Sequence, residues 1–357
     1  MALRVGILGC GFISARYLTN LPAFEGLEVV ACADLDDARA EGRAKEFGIE
    51  ARPVSALLGG DDIDLIVNLT NPAAHVDTSA AILASGKHLY SEKPLALTVA
   101  DGRMIMDVAA LRGLVVGCAP DTFLGGGLQT CRAMLDDGAI GTPTSFSAAW
   151  VCPGHELWHD NPDFYYQIGG GPLFDMGPYA LTAIVSLLGP VARVAGMARR
   201  SGPTRTIATG KRAGETIPVQ TPTHIVATLE LRSGILGTVT MSFDTWTSDA
   251  PFLEIQGTTG TLSCGDPDTF AGPVRICGPA ESGPWRDVPI QRPYVANSRG
   301  LGVAELAESL ARDERPRASG WLALHVLSVM EAILRSADER RFVDVEWSCE
   351  RPAPLPA

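Results

Sequence analysis

The feature that most constrains this chain is a glycine loop set between a strand and a helix. The apolar run at residues 4–8 leads at once into Gly9-Cys10-Gly11-Phe12-Ile13-Ser14, and residues 13–21 carry helical spacing. Glycines two residues apart let the backbone turn sharply and approach a pyrophosphate, whose charge then rests on the N–H groups that open the helix. The strand-loop-helix context separates a dinucleotide loop from a chance match. Gly9, Gly11, Phe12 and Ile13 are therefore candidate cofactor contacts. The third position of the pattern holds Ser14 instead of glycine, still small enough for close helix–sheet packing. Asp34 ends the second apolar run about twenty residues on, where a carboxylate can accept the ribose hydroxyls of an adenosine half, and this favours NAD over NADP. A 2′-phosphate there would meet a repulsion of about a few kcal/mol, unless Arg39 or Arg43 offsets it. Asp34 can also be read as a cap for the helix that follows.

The first third keeps this rhythm. Short apolar runs at 4–8, 28–33, 64–70, 87–91 and 114–118 alternate with helical patterns at 13–21, 36–47, 73–84 and 98–112. That predicts a doubly wound parallel sheet of the Rossmann type, its strands buried on both faces. After residue 120 the pattern changes: a helix at 127–137 is followed by β-type runs at 144–151, 223–231, 235–243, 252–256, 260–264 and 274–277, and helical patterns return at 303–312 and 319–336. The fold class expected is α/β, with a Rossmann NAD-binding domain over 1–120. An α+β domain over 121–357 is expected to carry a large, mostly antiparallel, open-faced sheet that binds substrate and pairs copies into a homodimer or homotetramer. A net charge of −12 without a Lys/Arg cluster argues against a nucleic-acid partner. The longest apolar run, at 180–188, is about half of what a bilayer requires, so no membrane partner is expected. Eight cysteines without a CxxC pair, and a strand beginning near Leu3 that leaves no room for a secretion signal, point to reduced thiols in the cytoplasm.

Chemistry is expected at the carboxyl edge of the parallel sheet, where open α/β folds keep their ligands. Ser91-Glu92-Lys93-Pro94 follows one strand there, and Lys93 can reach a substrate oxygen. Thr70-Asn71-Pro72 ends another, with His75 just beyond, either along the nicotinamide half or as a structural residue at a helix start. With these motifs, and with Gly169-Gly170-Gly171 leading into Asp175, the chain resembles the glucose-fructose oxidoreductase/inositol dehydrogenase (Gfo/Idh/MocA) family over nearly its whole length. The resemblance implies hydride transfer between C4 of a nicotinamide and a carbon of a sugar, sugar derivative or cyclitol. It also implies that Lys93 is similar to the family's catalytic lysine and Asp175 to the carboxylate that orients substrate. Glu92 and Lys93 are carried over as cofactor neighbours too. Where many relatives have a histidine four residues after the aspartate, this chain has Tyr179, as the glucose-fructose branch does.

Oxidising a secondary alcohol requires a group to take the hydroxyl proton. An ordinary tyrosine, with a pKa of about 10, is a poor base at neutral pH, but a neighbouring ammonium favours its phenolate. Tyr179 assisted by Lys93 is one assignment, and a desolvated Lys93 acting as the base is the other. Asp175 and Tyr179 share a face if the helix stays regular through Gly177-Pro178. The segment ahead of the glycines supplies Trp150, His155, Trp158 and Tyr165, rings and donors suited to a sugar. It also contains His155-Glu156-Leu157-Trp158-His159, the HExxH pattern of zinc proteases. Pro153-Gly154 before it and Asn161-Pro162 after it leave about one helical turn, and no third ligand stands out, so metal hydrolysis is disfavoured and no metal is expected. The remaining rival is a catalytically retired sensor of the same fold. The joint presence of Lys93 and Asp175 speaks against it.

Overall fold

The computed structural model describes residues 2–278 and 285–356. The chain falls into two compact units, Met1–Asp121 with Ser298–Leu327, and Thr122–Asn297 with Ser328–Ala357.

In the first unit β1 (Leu3–Leu8), β2 (Leu27–Ala33), β3 (Glu50–Ala51), β4 (Leu65–Asn68), β5 (His88–Ser91) and β6 (Val116–Cys118) form one all-parallel sheet in the order β3-β2-β1-β4-β5-β6. This is the doubly wound order expected of a Rossmann domain. The connecting helices are α1 (Ser14–Asn20), α2 (Asp37–Phe47), α3 (Val54–Gly59), α4 (His75–Ala84) and α5 (Val99–Arg112). Every residue of β4 is buried, as a strand covered on both faces must be. Helix boundaries follow local chemistry. The Asp36 carboxylate caps α2 by accepting from the Ala38 N–H, and Gly48 ends it at φ 69°. Thr98 caps α5 at the Asp101 N–H. β3 and α3 escaped the sequence reading, because a two-residue strand has no alternation of its own. Its place is set by pairing of Ala31 with Glu50 and Cys32 with Ala51.

The second unit contains α6 (Gly126–Asp136), α7 (Asp163–Tyr166) and α8 (Gly171–Leu188). Its large sheet is built from β7 (Pro143–Val151), β8 (Val191–Arg199), β11 (His224–Leu231), β12 (Leu236–Ser242), β13 (Glu254–Gly257), β14 (Thr261–Ser263), β15 (Val274–Cys277), β16 (Arg286–Val288) and β17 (Val343–Asp344), while β9 (Thr204–Thr206) and β10 (Thr216–Pro218) pair separately. The order is β16-β15-β14-β13-β7-β12-β11-β8-β17, antiparallel throughout except for β7 beside β12. β8 carries a weak strand signal because Gly196 interrupts it. A Cβ there would lie 2.6 Å from the Ile333 carbonyl oxygen, so packing requires the glycine. α8 packs on β7, β11 and β12. It extends the apolar run at 180–188 back to Gly171, straight through Pro178, and so reaches a length and hydropathy that could cross a membrane. The helix is 89% buried within its unit, as a core helix is.

The change of pattern after residue 120 predicts a second domain over 121–357, whereas the structure returns 298–327 to the first unit. The Cys118 N–H donates to the Ala318 carbonyl at 2.9 Å, and Gly117 bridges to Ser319. α9 (Leu301–Ala311) buries Leu301, Val303 and Leu306. The buried Asp121 carboxylate accepts from the N–H groups of Gly300 and Gly302 at its start, at 2.8 and 3.0 Å. α10 (Gly320–Glu339) is divided between the units at residue 327. The sequence of an amphipathic helix reveals which face it buries, but not which core receives it.

Candidate functional site

Four strand ends define the carboxyl edge of the first unit. Ala33, Leu8, Asn68 and Ser91 are successive partners across β2, β1, β4 and β5, so the loops after these strands leave from one line. Gly9 adopts φ 102°, and a Cβ there would fall 2.7 Å from the Leu69 carbonyl, a conformation and a contact that exclude side chains. A Cβ on Gly11 would meet nothing within 4 Å, which leaves the loop open above α1. No side chain caps α1, so its first N–H groups suit an anion. Phe12 is 96% exposed and Ile13 half-buried. Ser14 does more than save space. It is fully buried, donates to the Gly11 carbonyl at 2.6 Å, and accepts from Arg43 Nε at 3.1 Å, which braces the turn.

Asp34 does not cap α2, since Asp36 performs that role. The Asp34 carboxylate turns back to the loop, accepting from the Cys10 N–H at 2.7 Å and the Asp36 N–H at 2.9 Å. Arg39 is ion-paired with Asp36 at 3.2 Å. Asn71 lies exposed ahead of the short turn Pro72–Ala74. Thr70 is tied to Asn68 through its hydroxyl at 2.7 Å. Two of the residues expected to neighbour the cofactor also brace the loops. His75 is fully buried, with Nδ1 at 2.7 Å from the Pro94 carbonyl and Nε2 at 2.9 Å from the Thr70 carbonyl, and burial lowers its pKa. As a neutral ring it has one N–H to donate, so it clasps one of these carbonyls and packs against the other, between the loops after β4 and β5. Glu92 accepts from the Tyr17 hydroxyl at 2.8 Å and from the Lys93 N–H at 3.0 Å. Burial pushes the Tyr17 phenol well up, so it stays protonated and donates. Lys93 is half-buried on the loop so fixed. The sequence pattern gave no sign of Tyr17, whose role depends on a partner 75 residues away.

In the second unit α8 runs unbroken through Gly177-Pro178, so Asp175 and Tyr179 do share a face. They are the two residues of its 18 that are not fully buried. His155 Nε2 lies 2.9 Å from Asp175 Oδ2, while the Trp158 indole N–H donates to His155 Nδ1 at 3.0 Å. Tyr165 and Phe243 pack on the imidazole with ring centroids at 4.1 and 4.6 Å, and Trp150, from β7, lies 6.1 Å away. The five candidates Trp150, His155, Trp158, Tyr165 and Asp175 are thus brought together within this unit. Its HExxH stretch is no helical metal face. His155–Leu157 is a single 3-10 turn, and His159 Nδ1 accepts from the Asn161 N–H. Glu156 is buried against Arg205 at 3.0 Å and accepts from the Tyr166 hydroxyl.

Residues 3–119 match the family model described as "Oxidoreductase family, NAD-binding Rossmann fold", and residues 128–263 match the model described as "GFO/IDH/MocA C-terminal domain". The chain is 32% identical to a dTDP-3,4-didehydro-2,6-dideoxy-alpha-D-glucose 3-reductase of Streptomyces violaceoruber, over 59% of this chain and 62% of that one, less than two-thirds of the relative's length. It is 27% identical to a D-apiose dehydrogenase of Paraburkholderia graminis, over 98% of this chain and 91% of the relative. Among solved structures, levoglucosan dehydrogenase in complex with NADH and levoglucosan shares its fold with a TM-score of 0.83 at 19% identity, covering 97% of this chain and 100% of that one.

Proposed function

The chain belongs to the Gfo/Idh/MocA oxidoreductase family, and from that premise we propose that it transfers hydride between NAD and a secondary hydroxyl of a sugar, sugar derivative or cyclitol. The observation that carries this reading is the line of strand ends in the first unit, from which the glycine loop, Asp34, Asn71 and Lys93 all depart. The residues fit a dinucleotide. Gly11 leaves the space that a side chain would fill, the start of α1 is uncapped, and the Asp34 carboxylate is held beside the loop by the Cys10 N–H. NAD, when bound, supplies the hydride acceptor or, in reverse, the donor. Gly9, Gly11, Phe12 and Ile13 form the pyrophosphate seat, and Asp34 takes the ribose hydroxyls. Lys93 steadies negative charge as it grows on the substrate oxygen, and Asp175 orients the hydroxyl. The proton goes to Tyr179 or to Lys93.

The test is to denature purified protein, identify any nucleotide released, and screen the apoprotein against sugars and cyclitols by nicotinamide absorbance. NAD is expected in preference to NADP, with at least one compound giving NADH. Lys93→Met should lower turnover by about 100-fold or more while NAD binding persists, and a Tyr179→Phe enzyme at the parent rate would assign the proton to Lys93. NAD binding without turnover of any compound would replace the enzyme with a sensor. We further propose a reducing, cytoplasmic setting, supported by the buried thiols of Cys10, Cys32, Cys118, Cys131 and Cys264. Self-association through the large sheet is supported by Met197, Val226 and Leu236 exposed on it.

A further inference from the structure

An imidazole meets Asp175 from outside α8, from the turn that follows β7. His155 is 7% exposed and sits with Nε2 2.9 Å from Asp175 Oδ2. Its other nitrogen faces the Trp158 indole N–H at 3.0 Å. An indole N–H can only donate, so Nδ1 accepts and the proton of the neutral ring lies on Nε2, aimed at the carboxylate. The segment is pinned for this purpose from below. The His155 N–H donates to the Tyr166 hydroxyl at 3.2 Å, that hydroxyl donates to Glu156, and Glu156 is ion-paired with the half-buried Arg205. Tyr165 and Phe243 pack against the imidazole. The chain of donors runs from an indole that is 60% exposed, through the buried imidazole, to one of the two residues of α8 that are not fully buried.

Resting on the dehydrogenase reading above, we propose that His155 is the positioning residue of Asp175. Its Nε2–H fixes the carboxylate rotamer that orients the substrate hydroxyl, and Trp158 sets the tautomer that makes this donation possible. The imidazole takes no proton from substrate in this arrangement, because its one lone pair is already committed to the indole.

The test uses the full-length protein with NAD and a substrate found in the panel. His155→Leu should lower kcat/KM by about 10- to 100-fold, mostly through kcat, and move the acid limb of its pH profile to higher pH, because the charged carboxylate loses a donor. His155→Gln, whose amide nitrogen can reach the Nε2 position, should recover most of the loss. Trp158→Phe, which keeps a ring but loses the N–H, should fall between. Long-range 1H–15N NMR of the imidazole reads the tautomer without any assay, with the proton expected on Nε2 in the parent and shared between nitrogens in Trp158→Phe. Parent-like kcat/KM and an unmoved acid limb in His155→Leu, or a proton on Nδ1 in the parent, would overturn the proposal. If the Leu variant melts early, the Gln variant and the NMR tautomer decide it. If the parent oxidises nothing in the panel, the dehydrogenase reading fails on its own, and the tautomer still decides whether the dyad exists.

Discussion

At Gly9 the backbone turns through φ 102° with the Leu69 carbonyl where a side chain would begin. Glycine is therefore demanded twice, by conformation and by contact. Gly9→Ala should cost about 2 to 4 kcal/mol and abolish NAD binding. A calorimetric titration and a thermal melt would check both, and a variant that binds NAD like the parent would show that the turn is not the nucleotide seat. Gly11 is glycine for another reason, since a side chain there would fit the fold but occupy the approach to α1. Ser14 illustrates a residue whose size was legible in sequence and whose second function was not. Its smallness follows from the loop pattern, whereas its hydrogen bond to Arg43 depends on α2 lying alongside.

Among elements, α1 and the loop after β5 are joined by Tyr17 and Glu92. Tyr17→Phe leaves a carboxylate oxygen without its donor, and the expected loss is about 1 to 3 kcal/mol. Turnover should fall more than NAD affinity, because Lys93 is anchored through the same glutamate. Denaturant melts and steady-state kinetics measure the two effects separately. α9 offers a pH test. Burial raises the Asp121 pKa to about 6, against which the two N–H groups at the start of α9 pull only partly. A folded-state pKa above the ordinary value of 3.8 means that the protonated form favours folding. That stabilisation is complete below about pH 4 and is lost as pH rises through about 6, an effect of about 3 kcal/mol. Asp121→Asn keeps an acceptor for both N–H groups but cannot titrate. Its stability relative to the parent should therefore rise between pH 4 and pH 7, read from urea unfolding at each pH, and a pH-independent difference would show that Asp121 does not titrate in this range.

For the whole molecule, the exposed side of the large sheet carries Met197 opposite Val226, with Leu236 on a neighbouring strand. If copies pair there, Leu236→Glu should reduce the mass measured by light scattering, and a parent protein that is monomeric at all concentrations would refute pairing. Much of the architecture was readable from the chain alone: the glycine loop between strand and helix, the parallel sheet, the change to a β-rich second half, and the individual candidates Lys93, Asp175 and His155. Those signals are local, resting on period, turn chemistry and short spacings, and so a linear sequence carries them. Other features depended on folding. The return of 298–327 to the first unit, the clasping by His75, and the bond between His155 and Asp175 all join residues distant in sequence. Nothing in the spacing of two segments states which buried partner each will find, because hydrogen bonds and packing are satisfied only by the particular surfaces that the tertiary fold brings within reach.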